Sequence, residues 1–358
     1  MSSRVSATIN LAAISHNLNI IRSLAPESSV LAMVKADAYG HGANEVARVI
    51  ESQVGGFGVA TLDEAASLRS VGIVAPIVLL EGFNFAHELA VAKEHKLDLV
   101  IHNLVQLREL IEEGVEGISR VWVKLDTGMH RLGFSPSEWL EARPLISQIE
   151  QYIDIVVMTH LACADEIEHV QNRNQLSVFE QIVDGEPFAQ SIANSAAILS
   201  RPDLHRNWVR PGIMLYGVSP FGSEQLIDDL CPVMTLKASV IALKSVSAGD
   251  WIGYGATYQC QSDRLIATVS LGYGDGYPRS AATGTPCYIN GVMTELVGRV
   301  SMDMLTIDVT DVPGVKLGDQ VELWGEHVPV EQVAACCDTI GYVLLTGLTN
   351  RVTFHYVR

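Results

Sequence analysis

A lysine follows the first strongly apolar run of the sequence, in the segment VLAMVKADAYGHG that starts at Val30. The ammonium of Lys35 must reach water, pair with an anion, or lose its proton because burial disfavours the charged form. A neutral lysine amine is a nucleophile that forms a Schiff base with a carbonyl compound. Lys35 is therefore a candidate for covalent catalysis, and the alternative is a structural lysine held in an ion pair.

Further polar side chains stand where other apolar runs end. They are Lys124, Asp126, His160, Asn194, Ser195 and Arg210. If these runs are parallel strands of a closed barrel, their carboxyl ends meet on one face, which is the catalytic face of such barrels. Polar residues placed by chance would fall at both ends of the strands. The pattern therefore predicts a single site.

The seventh and eighth apolar runs of the sequence are followed by groups that could bind a phosphate. They offer the hydroxyl of Ser195 and the backbone of Gly212, followed by Ile213. The loops after the seventh and eighth strands of (β/α)₈ barrels often bind phosphate, and backbone N–H groups bind anions. A Schiff-base lysine combined with a phosphate site predicts pyridoxal phosphate as the cofactor.

The elements that would position these residues are eight short apolar runs separated by stretches with helical periodicity. The runs are VLAMVKA from Val30, GFGVA from Gly56, PIVLLEG from Pro76, LDLVIHN from Leu97, VWVKLDTG from Val121, IDIVVMTHL from Ile153, AQSIANS from Ala189 and WVRPGIMLYG from Trp208. Strands that are apolar throughout are typical of a parallel sheet covered by helices, and eight of them close a TIM barrel.

After Pro232 the pattern changes to alternating strands with Gly and Asp turns, as in LKASVIALKSVSAGDWIGYG, DRLIATVSLGYGDG, TPCYINGVMTELVGRV, LTIDVTDV and KLGDQVELWG. This pattern predicts a mainly antiparallel β-domain with a helical insert near Val330 to Cys337. We expect an α/β fold with a (β/α)₈ barrel in residues 1–228 and the β-domain in residues 229–358. The N-terminal strand is a candidate to pair with the second domain.

Composition limits the partners. The chain has 24 basic and 41 acidic side chains, a formal net charge of −17. The electrostatic field of this negative charge repels nucleic acid and anionic membranes, so we expect a small-molecule partner. The sequence has neither a long apolar span nor a signal-peptide pattern, and its six cysteines have no zinc-ligand spacing. We expect a cytoplasmic protein with reduced thiols and no metal site.

Seven segments, in order along nearly the whole chain, resemble the alanine racemase family. They are VKADAYGHG around Lys35, KLDTGMHRLGF from Lys124, ANSAA around Ser195, VRPGIMLYG from Val209, GYGATY around Tyr254, GYGDGYPR from Gly272 and SMDM from Ser301. The resemblance implies an isomerase that interconverts L- and D-alanine with pyridoxal phosphate. It also implies a homodimer whose active sites are shared between subunits, and a role in D-alanine biosynthesis for peptidoglycan.

The resemblance also assigns roles to individual residues. Lys35 would hold the cofactor and act as one of two bases, and Tyr254 of the partner subunit would be the base on the opposite face of the substrate. The phosphate would be bound by Tyr39, Ser195, Gly212, Ile213 and Tyr342. A tyrosine such as Tyr342 in DTIGYV could also simply fill a core.

Arg210 matches an arginine that faces the pyridine nitrogen. A guanidinium does not give up its proton, so that nitrogen would stay unprotonated and the cofactor would be a weaker electron sink, which favours rapid reprotonation over side reactions. His160 and Asn194 match residues near the cofactor ring, although a histidine after an apolar strand is often only a core group.

The remaining matches concern the substrate. Arg131 and Met302 would bind it, since a guanidinium fork fits a carboxylate, although Arg131 could also be a solvated loop arginine. Lys124 matches a lysine that is often carbamylated and would then orient Arg131. Tyr273, Ser301 and Asp303 would support the wall and entrance of the site. Many relatives carry cysteine at the position of Ser301, so we assign it no catalytic role.

Three alternatives remain open. A racemase of broader specificity would also accept serine. A barrel-type amino acid decarboxylase shares the fold plan, but the GYGATY and SMDM segments and Arg210 argue against it. A carrier protein for the cofactor would typically be the barrel alone, so the large β-domain argues against that reading.

Overall fold

The computed structural model describes residues 4–358. Its strands are β1 (Val5–Asn10), β2 (Ser29–Met33), β3 (Gly56–Val59), β4 (Ile77–Leu79), β5 (Asp98–Ile101), β6 (Arg120–Lys124), β7 (Asp154–Met158), β8 (Ala189–Asn194), β9 (Trp208–Arg210), β10 (Met234–Val246), β11 (Trp251–Ile252), β12 (Tyr258–Gln259), β13 (Arg264–Val269), β14 (Pro286–Ile289), β15 (Val292–Glu295), β16 (Leu305–Asp308), β17 (Gln320–Trp324) and β18 (Thr353–Val357).

The α-helices are α1 (Leu11–Leu24), α2 (Lys35–Gly40), α3 (Ala43–Ile50), α4 (Leu62–Ser70), α5 (Ala86–Glu94), α6 (Leu104–Glu113), α7 (Pro136–Ile146), α8 (Val170–Val183), α9 (Ser195–Ser200), α10 (Val330–Cys336) and α11 (Gly341–Thr346). Short 3₁₀ turns cover Glu51–Gln53, Pro202–Leu204, Ile213–Tyr216 and Tyr273–Asp275. No helix within residues 4–358 is long and apolar enough to cross a membrane.

Strands β2 to β9 form a closed parallel barrel in chain order, and β9 returns to β2 through the pairs Ser29 with Trp208 and Val30 with Val209. Each predicted apolar run supplies one strand, so the predicted (β/α)₈ barrel is confirmed. The strands are short and buried almost throughout because helices cover their outer face. The eighth run is a strand only as far as Arg210, because Pro211 lacks the N–H that would continue the ladder.

The helices around the barrel begin at residues that satisfy their first N–H groups. Thr61 and Ser135 each form a capping box, with Glu64 and Glu138 respectively, at the start of α4 and α7. Asn103 caps α6 by accepting a hydrogen bond from the backbone N–H of Gln106. These caps fix where each strand-to-helix loop ends, and therefore which residues lie at the carboxyl end of each strand.

A mainly antiparallel sheet follows the barrel, as predicted. Its long strand β10 pairs antiparallel with β13, β17 and β1, and β1 also pairs in parallel with β18. The hairpin of β14 and β15 joins the sheet at β17, and α10 is the predicted helical insert. Alternate residues of β1 and of the first half of β10 are buried, which is the period expected of strands with one covered face.

Contacts between residues divide the chain into two compact units. One consists of Leu18–Ala38 and Gly42–Leu215, and the other of the described residues up to Asn17, Tyr39–His41 and Tyr216–Arg358. We call them the barrel unit and the sheet unit. The domain limits 1–228 and 229–358 remain a prediction, because compactness alone does not show where an independently folding domain ends.

Candidate active site

Lys35 opens a turn of unusual handedness. Strand β2 ends at Met33, two residues before Lys35, and the φ angles of residues 36 to 39 lie between 51° and 54°. The helix α2 is therefore left-handed, which costs roughly 1–2 kcal/mol for each residue with a side chain. Strain of this kind persists where the surroundings enforce it, and it is concentrated at functional sites.

Hydrogen bonds to carboxylates hold this turn in place. The backbone N–H of Ala36 donates to Oε1 of Glu64 at 2.7 Å, and the N–H of Ala43 donates to Oδ1 of Asp37 at 2.7 Å. The N–H of Ala38 also donates to the carbonyl of Val34 at 2.8 Å. The turn leaves the side chain of Lys35 exposed at the carboxyl end of β2.

Four cationic side chains converge at this end of the barrel. Lys124, the last residue of β6, is buried, and burial together with the charges of Arg210, Arg131 and Lys35 lowers its pKa to about 8, while Asp126 acts in the opposite direction. A cluster of this sign is unexpected in a chain whose net charge is −17. It is an environment that favours anions.

Arg210 is the most deeply buried of these cations. Its Nη1 donates to Oγ of Ser191 at 2.6 Å, and its Nη2 donates to the carbonyls of Thr159 at 2.6 Å and Ile192 at 3.1 Å. Burial lowers its pKa to about 10, so it is charged at neutral pH. These three hydrogen bonds fix the plane of the buried guanidinium.

His160 is neutral in this surrounding. Burial, followed by the charges of Arg210, Lys124, Arg131 and Lys35, lowers its pKa well below the usual value. Its Nδ1 lies 3.4 Å from Nη2 of Arg210. His160 therefore contributes a neutral imidazole and not a positive charge.

Arg131 is exposed on a tight loop that follows β6. The loop is closed by hydrogen bonds from the Phe134 N–H to the Lys124 carbonyl at 2.8 Å and from the Asp126 N–H to the Phe134 carbonyl at 2.9 Å. Gly133 has a φ of 125°, and a Cβ there would lie 2.6 Å from the backbone nitrogen of Asp126. The loop therefore requires glycine at this position.

The side chain of Asp126 stabilises the same loop by accepting hydrogen bonds from its backbone. Its Oδ1 accepts hydrogen bonds from the N–H groups of Gly128 at 3.0 Å and His130 at 2.9 Å. Partial burial would raise the pKa of Asp126, but these bonds and the His130 ring hold it below the usual value. Asp126 is thus a loop anchor, and it supplies a negative charge beside Lys124.

The predicted phosphate residues of the barrel unit lie together. Oγ of Ser195, a buried residue, accepts hydrogen bonds from the N–H of Gly212 at 2.9 Å and of Met214 at 3.4 Å, and Ile213 is fully buried between them in sequence. This leaves the Ser195 O–H as a donor. Asn194 instead caps α9, because its Oδ1 accepts from the Ala197 N–H at 3.1 Å.

The other predicted residues belong to the sheet unit. The rings of Tyr39 and Tyr342 have centroids 5.9 Å apart, and Tyr39 stacks on Tyr216 at 4.9 Å. Burial raises the pKa of Tyr39 to about 12, so its phenol is a neutral donor at physiological pH. The structure thus brings the two predicted tyrosines together.

Tyr254 lies at the tip of the β11–β12 hairpin with 69% of its surface exposed. Elsewhere in the sheet unit, the N–H of Tyr273 donates to the carbonyl of Ser301 at 3.0 Å, and Asp303 forms an ion pair of 2.6 Å with Arg351. Met302 is 53% exposed next to them. Tyr273, Ser301, Met302 and Asp303 therefore form one surface, and Tyr254 stands on a separate loop.

Two residues of the barrel site were not anticipated from the sequence. Ser191 is buried, holds Arg210 and donates to the Trp208 carbonyl at 2.9 Å. His102 follows β5, and its pKa is lowered by burial and by the charge of Lys124. A serine inside the apolar strand AQSIANS and a histidine at the end of LDLVIHN were the available signals. Within residues 4–358 no group of His, Cys, Asp and Glu is arranged to hold a metal.

Comparison with known proteins gives a consistent result. The family model of the alanine racemase N-terminal domain matches residues 9–220, and that of the C-terminal domain matches residues 233–356. The alanine racemase of Thioalkalivibrio sulfidiphilus is 48% identical over 354 residues, covering 98% of each chain. That of Yersinia pestis is 45% identical over 353 residues, again covering 98% of each chain.

Solved structures agree with the sequence matches. The biosynthetic alanine racemase of Pseudomonas aeruginosa superposes with a TM-score of 0.93 at 42% identity, covering 99% of this chain and 100% of that one. The alanine racemase of Bartonella henselae, which is described with covalently bound pyridoxal phosphate, gives 0.90 at 31% identity and the same coverage. The resemblance drawn from the seven segments is confirmed, and the chain belongs to the alanine racemase family.

Proposed function

We propose that this protein interconverts L- and D-alanine with pyridoxal phosphate as its cofactor. The observation that carries the proposal is the convergence of Lys35, Lys124, Arg131 and Arg210 at one end of the barrel in an otherwise acidic chain. Such a cluster suits a ligand with a phosphate and a substrate with a carboxylate. The names of the relatives favour alanine over serine as the substrate.

The residues present fit this cofactor. Arg210 is a buried guanidinium that stays charged at neutral pH, which suits an unprotonated pyridine nitrogen that accepts a hydrogen bond. Ser195 would hold the phosphate through its hydroxyl, which the Gly212 N–H orients, with Gly212, Ile213, Tyr39 and Tyr342 completing that set. His160 would lie against the ring, with Asn194 fixing the start of α9 beside it. Lys35, at the start of a turn held by carboxylates, would be the covalent attachment point.

When bound, pyridoxal phosphate supplies an electron sink that makes the Cα–H of an attached amino acid acidic. The residues of the chain then have to move one proton. We propose that Lys35 removes or returns the proton on one face of Cα and that Tyr254 does so on the other, so that one base takes a proton while the other delivers one. Arg131, with Met302 beside the substrate, would bind the carboxylate by a two-point contact.

Lys124 supports this arrangement in one of two charge states. As an amine with a pKa of about 8 it is mostly protonated at neutral pH and repels Arg131. As a carbamate it would be an anion and would attract Arg131 into a fixed position. We propose the carbamate, because a buried site with three further cations favours a negative charge.

We further propose a cytoplasmic homodimer in which Tyr254 of one subunit serves Lys35 of the other. The exposed position of Tyr254 on a hairpin tip supports a role in a partner's site. All six cysteines are free thiols, as is usual in a reducing compartment. Supply of D-alanine for peptidoglycan is the proposed role, since one similar structure is that of a biosynthetic enzyme. Tyr273, Ser301 and Asp303 would line the entrance.

The proposal is tested by incubating the purified protein and pyridoxal phosphate with single L-amino acids, followed by chiral chromatography. We expect D-alanine to form until the two enantiomers are equal, and serine to react far more slowly. Lys35→Ala is the control, and it should form no D-alanine. Conversion of serine at the rate of alanine would establish the broader racemase instead, and loss of carbon dioxide would establish a decarboxylase.

A further inference from the structure

A buried glutamine on helix α8 connects two loops of the barrel site. Gln175 is fully buried, its Nε2 donates to the carbonyl of His160 at 3.0 Å and to Oγ1 of Thr127 at 3.3 Å, and its Oε1 accepts from the Ala162 N–H at 2.8 Å. A backbone N–H only donates and a carbonyl only accepts, so the orientation of this amide is determined.

The hydrogen bonds continue from Gln175 in one direction. The Thr159 O–H donates to the carbonyl of Leu125 at 3.1 Å. Because that is the only hydrogen of this hydroxyl, the Thr127 O–H is the donor in the 2.8 Å hydrogen bond to Oγ1 of Thr159. Both threonines are buried. Successive hydrogen bonds in a buried chain polarise one another, so the loss of one member weakens the others.

This series of hydrogen bonds reaches residues that adjoin or contact three of the four cations, namely Lys124, Arg131 and Arg210. Leu125 directly follows Lys124, and Thr127 lies on the loop that carries Arg131. The carbonyl of Thr159 accepts the 2.6 Å hydrogen bond from Nη2 of Arg210, and His160 is the next residue. Gln171, one helical turn before Gln175, adds a bond of 2.9 Å to the carbonyl of Gly128 in the Arg131 loop.

We infer that Gln175 is a positioning residue for substrate binding, which acts through Thr127 and Thr159 to hold the Arg131 loop in register with His160 and Arg210. The inference rests on the proposed function of this site. Gln175 contacts no reacting atom. Its effect is to keep Arg131 where the carboxylate of the amino acid is bound.

The first test breaks the chain at Thr127 without changing the size of the side chain. Thr127→Val leaves the Gln175 donor and the Thr159 acceptor unpaired, whereas Thr127→Ser keeps the hydroxyl. We expect the KM for L-alanine to rise roughly tenfold in the valine variant, with a smaller change in kcat, because Arg131 contacts the carboxylate in ground and transition state alike. The serine variant should retain the wild-type KM.

The second test changes the amide itself and measures binding without turnover. In the holoenzyme, Gln175→Leu should weaken the binding of acetate, which has the carboxylate but no amino group, by roughly tenfold in calorimetric titrations. Gln181→Leu, on an exposed position of the same helix, is the matched control and should bind acetate as the wild type does. Thermal melting of each holoenzyme identifies any variant that fails to fold.

A folded Thr127→Val or Gln175→Leu enzyme with unchanged KM and unchanged acetate affinity would overturn the inference and leave the proposed function intact. Equal weakening by Thr127→Ser and Thr127→Val would also overturn it, since the hydroxyl would then be irrelevant. If the wild type does not racemise alanine, the proposed function fails, and the acetate titrations still decide whether Gln175 positions the carboxylate site.

Discussion

Lys124 and Arg210 are two buried cations of one site. The pKa of Lys124 is lowered to about 8, first by burial and next by the charge of Arg210. Burial alone lowers the pKa of Arg210 to about 10. Lys124 therefore changes charge closer to neutral pH than Arg210 does. Its protonation should be visible in the stability of the protein.

We expect Lys124→Met to stabilise the cofactor-free protein near pH 7. The Lys124 pKa falls from an ordinary 10.5 to about 8 on folding, which corresponds to a destabilisation of up to roughly 3 kcal/mol while the lysine is protonated in both states. Between these two pKa values the unfolded chain binds more protons, so the stability of the wild type rises with pH. The advantage of the variant should therefore shrink and vanish above about pH 10.5.

Urea unfolding of both proteins in buffers free of carbon dioxide measures this difference. The other titrating groups are shared, so the difference between wild type and variant isolates Lys124. Adding bicarbonate should then stabilise the wild type at about pH 8 and leave Lys124→Met unchanged, because only the wild type can form the carbamate. A variant that is no more stable than the wild type at pH 7 would contradict a buried, charged Lys124.

The cofactor should be attached to Lys35 and not to Lys124. Both amines belong to the same cluster, and the lowered pKa of Lys124 makes it the more reactive competitor. Reduction of the holoenzyme with borohydride, followed by peptide mapping, should locate the label in the peptide that contains Lys35. Lys124→Met should retain this label and Lys35→Ala should lack it, whereas a label on Lys124 would reverse the two roles.

The sequence was sufficient to predict the barrel because its strands are short apolar runs between helical stretches, and the predicted carboxyl ends do carry the cation cluster. The left-handed turn after Lys35 was beyond such reasoning. The residues ADAY have no glycine, and local preference favours a right-handed helix by roughly 1–2 kcal/mol per residue. The tertiary hydrogen bond from Ala36 to Glu64 and the local one from Ala43 to Asp37 help to overcome this preference.

Residues that act through other residues were also missed. Gln175, Thr127 and Ser191 are polar positions whose partners are distant in the sequence, and periodicity does not distinguish a buried glutamine with three hydrogen bonds from one on a helix surface. Lys35 and Arg210 stood out because a lysine or arginine at the end of an apolar strand is unusual without a functional reason.

Replacing Ala36 by glycine should stabilise the protein, because glycine adopts positive φ without the clash of a side chain. Ala36 has a φ of 51° and an exposed position, so little packing is lost. We expect a gain of about 0.5–1 kcal/mol in the free energy of unfolding. The control Ala90→Gly, at an exposed position of the right-handed helix α5, should lose a similar amount. Destabilisation by both would contradict a left-handed turn.

Activity should be recovered by mixing two inactive variants. If Tyr254 of one subunit serves Lys35 of the other, a mixed dimer of Lys35→Ala and Tyr254→Phe carries both lesions in one site and none in the other. We expect up to one active site in each mixed dimer after subunit exchange, measured as racemisation of L-alanine. Exchange that is verified by mass spectrometry but yields no activity would place both bases in the same chain.

The two bases are distinguished by exchange of the Cα proton with solvent deuterium in Tyr254→Phe. Loss of one general acid–base group typically lowers the rate on the order of 10² to 10⁴. Racemisation must fall equally in both directions, because the enantiomers have the same free energy in water and a substitution cannot change the ratio of the two kcat/KM values. Exchange has no such constraint, since a single base can remove a proton and return a deuteron on the same face.

We assign the proton of D-alanine to Lys35 and that of L-alanine to Tyr254. In Tyr254→Phe, D-alanine should therefore still exchange its Cα proton without inversion, while L-alanine exchanges far more slowly. Mass spectrometry combined with chiral separation of each enantiomer in deuterated buffer measures both rates. Faster exchange of L-alanine would reverse the assignment of faces. Equal residual exchange from both enantiomers would mean that one mobile base, or a water that replaces the phenol, serves both faces of the substrate.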